Sequence, residues 1–510
     1  MPNSGVKITR LKRLYPQTAI VLDGRPSAFI VPGGGKDLLR LAERLNKAFL
    51  ERTGVTLPIV PAGRLVDEDW RVDLRPLGGR NIIAIGNVNN NRLLSVLYGE
   101  RYVVADSLYP GRGGFVIRTV HAPFADGTNV LVLAGSDLKG MRKAIEVFIE
   151  EFLSSENSPS SRPSLVLPRP IVKVKLKRET FRFFPGPSQK RQPQYTTMEW
   201  FERNLKKAGF MDEGGRIRSN DRPGENMVSL LRWLSRLGQT YFRTGDERLL
   251  PLMKELVRKN LHLLERPPEV KGMEARTAYC VHWWDILEEL PIWTDEERLA
   301  ITNALLLDAR QGHERRPFHR QVLEGAAQAM DENHGTFSAL HSFNAWLYFH
   351  KYYRDLLPES EYWMRCARAV FSAQASTFQI LEDAAGYLCY CPIHTMDYAL
   401  ASRDLTYFKR GIARHHAMFV SLVCVNNLGL STGFGDSPSL VCPEFFEAIA
   451  PAAWFHRDPK LYWVVRNFLP KECGLRIFQK SIAFDLTVRP QRPDDWTGVI
   501  RFPIYEMPLK

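Results

Sequence analysis

Short, wholly apolar runs alternate with amphipathic ones over the first third of the chain. AIVLDG (19–24), NIIAIGN (81–87) and NVLVLAG (129–135) have the length of strands and carry polar residues only at their ends, so they are expected as strands buried on both faces. Residues 36–53 and 137–153 instead repeat leucine and alanine at helical spacing, and Ser136 and Asp137 offer N-cap oxygens directly after a strand. The alternation predicts an α/β domain over residues 1–153. SSENSPSSRPS (154–164) can bury little apolar area and reads as a linker, with connecting strands up to residue 196. From there to about 475 the period is helical: 227–237, 247–264, 295–310, 335–353 and 359–376. Thr294 and Glu297 form a capping box, while Gly245-Asp246 and Leu357-Pro358 mark breaks. Helices of this length on short polar loops pack as hairpins, and an α/α toroid over 197–475, with the loops of one rim forming a cleft, is the economical arrangement. SIAFDLTVRP (481–490) and TGVIRFPIYEM (497–507) alternate with period two, so residues 476–510 are expected as a β segment that either packs on the toroid or opens a β-sandwich.

At 510 residues, with 45% hydrophobic and 25% charged positions, the composition is that of a multidomain globular chain. No apolar run reaches the roughly 18–20 residues of a membrane span, so no membrane partner is expected. MPNSGVKITRLKRLYPQ lacks the apolar core of a signal peptide; the chain is expected to be cytoplasmic, or periplasmic or secreted if a signal has been removed. Seven cysteines, odd in number and without a CxxC pair, indicate buried thiols rather than disulfides or a zinc site. The formal charge of +13 favours polyanions. Zinc-finger spacing, RNP-type strands and basic-zipper heptads are all missing, so an anionic polysaccharide is the expected partner and nucleic acid is not. Lys173 to Arg178 alternates with valine and leucine as a solvated strand face would, and VPGGGKD (31–37), without the P-loop spacing, reads as a plain turn.

Three segments carry candidate chemistry. In DENHGTFSALHSFNAWLYFH (331–350), Asn333 and His334 stand side by side at the mouth of an apolar helix, with His341 two turns on. EDAAGYLCYCPIHTMDYALASRD (382–404) is dense in Tyr387, Tyr390, His394 and Tyr398, and Arg414-His415-His416 opens a further helix. Elimination of a 4-linked substituent from a uronic acid needs a neutralised carboxylate, a base for the C5 proton and an acid for the departing oxygen. An amide, an imidazole and a phenol supply all three without a metal or other cofactor, and an arginine matches a carboxylate bidentately. Each residue also has a plain structural reading: Asn333 as a helix cap, His341 as core, the tyrosines as packed aromatics, and His313 and His319 as parts of an exposed basic loop.

Two resemblances extend this. TGVTLPIV (53–60), IIAIGN (82–87), DSLYPGRGGFVIRT (106–119) and VLAGSDLKGMRKAIEVF (132–148) make the first 150 residues similar to the small α/β domain ahead of the catalytic domain in hexosaminidases and α-glucuronidases, which implies a glycan-processing setting. ENHGT, followed by a tyrosine-rich segment in a helical toroid, resembles the heparinase II/III and alginate lyase group of polysaccharide lyases over about 200–475. On that pattern Asn333 and His334 match directly and Tyr390 matches by spacing. Where many members read Ser-Pro-x-Tyr-His, this chain has Cys391-Pro392-Ile393-His394, which leaves the acid and base open among His334, His394 and Tyr390. The group also carries a C-terminal β-sandwich with a further catalytic histidine, and no histidine follows His456 here.

The expectation is therefore a polysaccharide lyase acting on a uronic-acid-containing glycan, with Asn333, His334, Tyr390 and His394 catalytic and Arg414, His415, Tyr387 and His341 binding substrate. A glycoside hydrolase using Asp331, Glu332, Asp383 or Asp436, or a non-catalytic glycan-binding protein, are the alternatives.

Overall fold

The computed structural model describes residues 6–124, 127–153, 163–177, 198–267, 277–314, 333–378, 386–424, 443–468 and 484–494. Eight strands and fifteen α-helices occur among them. The fold is mixed: two small sheets, of three and five strands, accompany a part that is helical throughout.

Strands β1 (Thr18–Leu22), β2 (Arg25–Pro26), β3 (Ala28–Pro32), β4 (Asn81–Gly86), β5 (Phe115–Val120) and β6 (Val130–Gly135) come from the expected apolar runs and from the segment between them. The larger sheet has the order β3-β4-β6-β5-β8, parallel from β3 to β6 and antiparallel at β5 and β8 (Val172–Lys175). The smaller is β2-β1-β7, with β7 at Leu165–Leu167. Thus the stretch read as a linker with connecting strands returns its strands to both sheets, and the valines of VKVK in β8 are half-buried at a sheet edge.

Strand side chains alternate between faces. Ile83, Ile85, Leu131 and Leu133 pack under helices α1 (Lys36–Thr53) and α3 (Leu138–Phe148). Ile82, Ala84, Val130 and Val132 face the other way, onto α2 (Arg92–Gly99), and share one apolar cluster with the helical part. Covering both faces is why the runs are continuously hydrophobic. Asp137 caps α3 through a bond from the Gly140 N–H. A Cβ on Gly33 would stand 2.4 Å from the Asn90 carbonyl oxygen, so the glycine-rich loop serves the close approach of two backbone segments.

The helical part runs through α4 (Met198–Ala208), α5 (Met227–Thr244), α6 (Leu249–Asn260), α7 (Cys280–Leu287), α8 (Asp295–Glu314), α9 (Asn333–Tyr353), α10 (Ser360–Gln374), α11 (Tyr390–Ser402), α12 (Thr406–Lys409), α13 (Ile412–Cys424), α14 (Pro443–His456) and α15 (Pro459–Phe468). The capping box forms in both directions, Thr294 N–H to Glu297 at 2.8 Å and Glu297 N–H to Thr294 Oγ1 at 3.2 Å. Helix α9 packs closely along α10 and crosses α11. Cys280, Cys366, Cys389 and Cys391 are buried free thiols.

The two parts meet tightly. A Cβ on Gly99 of α2 would lie 2.7 Å from the Leu400 carbonyl oxygen of α11. Beside this contact the Lys12 ammonium is sealed from solvent, 2.8 Å from Asp285, 3.3 Å from Glu289 and 3.6 Å from Glu288. Burial opposes its charge, but the three carboxylates outweigh that and hold its pKa above the ordinary lysine value. Tyr102 donates to Asp285 at 2.7 Å, His121 lies 2.5 Å from Glu289, and Arg298 donates at 3.0 Å both to Glu288 and to the Lys12 carbonyl.

One expected element takes another form. Residues 484–490, read as part of a strand, form none, and the chain turns at 486–488. Phe484 packs edge-on to Tyr462 and stacks on Phe446, the Asp485 carboxylate accepts from the Thr487 N–H at 2.9 Å, and the Phe484 carbonyl accepts from Asn89 at 2.8 Å. The apolar anchor and the Asx-type turn together set this conformation, with no strand paired to it among the described residues. TGVIRFPIYEM lies outside the described residues.

Candidate functional site

Helix α9 begins at Asn333, so Asn333, His334, Gly335 and Thr336 form its first turn. The side chains of Asn333 and His334 lie outside what is described, as do Asp331, Glu332, Asp383, Asp436 and His319 and the side chain of His313. The next two side chains fix where this turn sits. Thr336 Oγ1 lies 2.9 Å from His394 Nδ1, and the Phe337 ring is 4.3 Å from the His394 ring and 5.2 Å from that of Tyr390.

On the facing helix, Tyr390 starts α11 and His394 follows one turn later, so both project from one face. Their rings are nearly parallel, 15° apart in plane at a centroid distance of 6.0 Å. Tyr387, in the 3₁₀ turn Tyr387–Cys389, lies 6.0 Å from Tyr390. His394 is wholly buried, whereas Tyr390 and Tyr387 are half-buried. Thus Tyr387, Tyr390 and His394 come together with the first turn of α9.

The other expected binding residues have partners of their own. His341 turns away from this cluster and pairs with Asp308 of α8 at 2.9 Å, both of them buried. Arg414 holds Asp458 at 2.5 Å. His415 is half-buried, edge-on to Phe378 at 5.2 Å; burial, then Arg414, lowers its pKa, against a hydrogen bond to the Phe378 backbone that raises it. His416 is fully buried, bonded by Tyr407 and by the Thr377 carbonyl, and burial lowers its pKa to about 3.

Below the Thr336–His394 contact, sequence reading missed a buried polar group. Tyr279 bonds Asp397, one turn beyond His394 on α11, while Arg101 of the α/β part donates to Asn344 of α9 at 3.0 Å and lies over the Tyr279 ring at 4.9 Å. His282 beside it is held near a pKa of about 3, by burial and then by the Arg101 charge. Asp397, three residues after His394 in an apolar helix, was the available signal. Thr336 was visible inside ENHGT but carried no chemistry of its own. Among the described residues no group of three His, Cys, Asp or Glu side chains is arranged to hold a metal.

No family model matches the chain, and no curated protein matches it. No described helix is long and apolar enough to cross a membrane.

Proposed function

We propose that the chain is a polysaccharide lyase that cleaves a uronic-acid-containing anionic glycan by β-elimination, its helical part an α/α toroid with the site on one rim. The observation that carries this reading is the Thr336–His394 hydrogen bond, which joins the turn holding Asn333 and His334 to the helix holding Tyr390.

In this mechanism the Asn333 amide hydrogen-bonds the uronate carboxylate and stabilises the charge that spreads into it as the C5 proton leaves. His334 takes that proton. The electron pair forms the C4–C5 double bond, the C4–O bond breaks, and Tyr390 delivers its phenolic proton to the departing oxygen. His394, sealed behind Tyr390, positions the phenol; its complete burial favours His334 over it as base. Arg414 and His415 hold the anionic chain, in keeping with the +13 formal charge.

The test is incubation with hyaluronan, chondroitin, heparan sulfate, alginate and ulvan while ultraviolet absorbance is recorded. Elimination creates a conjugated double bond and absorbs. New reducing ends without absorbance identify a hydrolase instead.

A further inference from the structure

Phe378 is 57% exposed, the most exposed large apolar side chain among the described residues. Single exposed apolar residues are common and by themselves mean nothing. This one is set apart by how firmly its backbone is held. After α10 the chain is pinned residue by residue: Ser376 Oγ donates to the Ser372 carbonyl at 3.0 Å and accepts from Arg410 at 3.0 Å, and Thr377 Oγ1 donates to the Ala373 carbonyl at 2.9 Å. Underneath, the Thr377 carbonyl accepts from His416 Nε2 at 2.8 Å, and His416 Nδ1 accepts from the Tyr407 hydroxyl at 2.7 Å. Both ring nitrogens of a buried histidine are thus committed to presenting this segment, and His415 braces Phe378 from the side.

Location and charge say what such a ring meets. Helices α9 and α10 are joined by a short turn and pack along each other, so the end of α10 lies at the end of the pair where α9 begins. His416 and Tyr407 link the segment to α11, since α12, which carries Tyr407, packs on α11. Phe378 therefore lies toward the end of the α9–α10 pair at which Phe337 meets Tyr390. Near it are the exposed cation Arg410, bonded to Ser376, and Arg414, which precedes His415, pairs with Asp458 and keeps 43% side-chain exposure. A pyranose presents axial C–H groups on one face and its carboxylate at the edge. An aromatic face accepts the first, and a guanidinium accepts the second.

We infer that Phe378, with Arg410 and Arg414 beside it, is a stacking platform that seats one acidic sugar residue of the glycan chain next to the elimination site. The inference rests on the lyase reading for its substrate class, but it is a statement about binding and is tested by binding. The platform predicts that Phe378→Ala weakens the complex about tenfold, the scale of a lost aromatic contact at 1.4 kcal/mol per tenfold. Phe378→Trp restores it, and Arg410→Gln weakens it with a shallower dependence on salt.

The measurement is affinity electrophoresis of the full chain through gels containing hyaluronan, heparan sulfate or alginate, with circular dichroism to verify the fold of each variant. Retardation of the wild type by at least one glycan, lost in Phe378→Ala and recovered in Phe378→Trp, supports the platform. Equal retardation of wild type and a folded Phe378→Ala overturns it, and so does a wild type retarded by none of the three. Retardation with the Phe378 dependence but no double bond formed keeps the platform and removes the lyase reading, so the two failures are told apart.

Discussion

Thr336 Oγ1 and His394 Nδ1 stand 2.9 Å apart in a wholly buried contact between the first turn of α9 and the second turn of α11. One hydrogen bond thus fixes the distance between two segments that are far apart in sequence, each with candidate catalytic side chains. Thr336→Val keeps the shape and deletes the hydroxyl, leaving His394 Nδ1 without that bond. We expect a loss of about 1–3 kcal/mol in urea unfolding and a fall in elimination rate, both recovered by Thr336→Ser. A valine variant with wild-type rate separates this contact from the chemistry.

Tyr390→Phe removes one oxygen from a half-buried ring that is otherwise held by Phe337 and His394. With Tyr390 as the proton donor, initial rates of double-bond formation should fall by at least about a hundredfold, within the range of general acid catalysis, and the circular dichroism spectrum should not change. A loss below about threefold would rule out the phenol as the acid.

Lys12 tests how the two parts are held together. Lys12→Met leaves Asp285, Glu288 and Glu289 facing each other with Lys351, Arg298 and Arg118 as counter-charges among the described residues. Breaking a buried ion cluster from one side costs about 3–5 kcal/mol, so the urea midpoint should drop accordingly. A midpoint equal to that of the wild type would show that the cluster contributes nothing net.

Acidification has a defined sign at two histidines. His282 and His416 are buried and held at about 3, while in the unfolded chain each protonates near the ordinary 6.5. Between those values the unfolded state binds more protons, so their contribution is complete above 6.5, declines as pH falls and is gone below about 3. Each gives a slope of at most about 1.4 kcal/mol per pH unit. Asp106, pushed by burial up to about 7 from 3.8, acts with the opposite sign over its own range. The histidine share is therefore read as a difference: between pH 6.5 and 5, His416→Gln should lose less stability in urea than the wild type. Parallel slopes would contradict the assignment.

What was legible in the sequence follows from how local the cause was. NIIAIGN and NVLVLAG become β4 and β6 because a sheet covered on both faces needs unbroken apolar runs, and the run from Met227 becomes α5 because its apolar face repeats at helical spacing. β8 was harder to read, since VKVK is half-buried at an edge and pairs with β5, which no local pattern reveals. Residues 481–490 carried a strand-like alternation, yet Phe484 and Asp485 are fixed by contacts with Tyr462, Asn89 and Thr487 that sequence spacing does not encode. At the site, the density of tyrosine and histidine over 382–404 was legible, whereas the shared helical face of Tyr390 and His394 came with the fold. The pairing of His341 with Asp308, and the reach of Arg101 to Asn344, depend on tertiary packing alone.

Elimination and hydrolysis are separated by the mass of the products formed in heavy-oxygen water. Elimination takes no atom from water at the cleaved bond. A lyase yields unsaturated ends free of solvent label from at least one uronic-acid-containing glycan, and Asn333→Ala yields no such ends. Saturated products carrying one labelled oxygen, or no product from any acidic glycan with folded protein, would contradict the lyase reading.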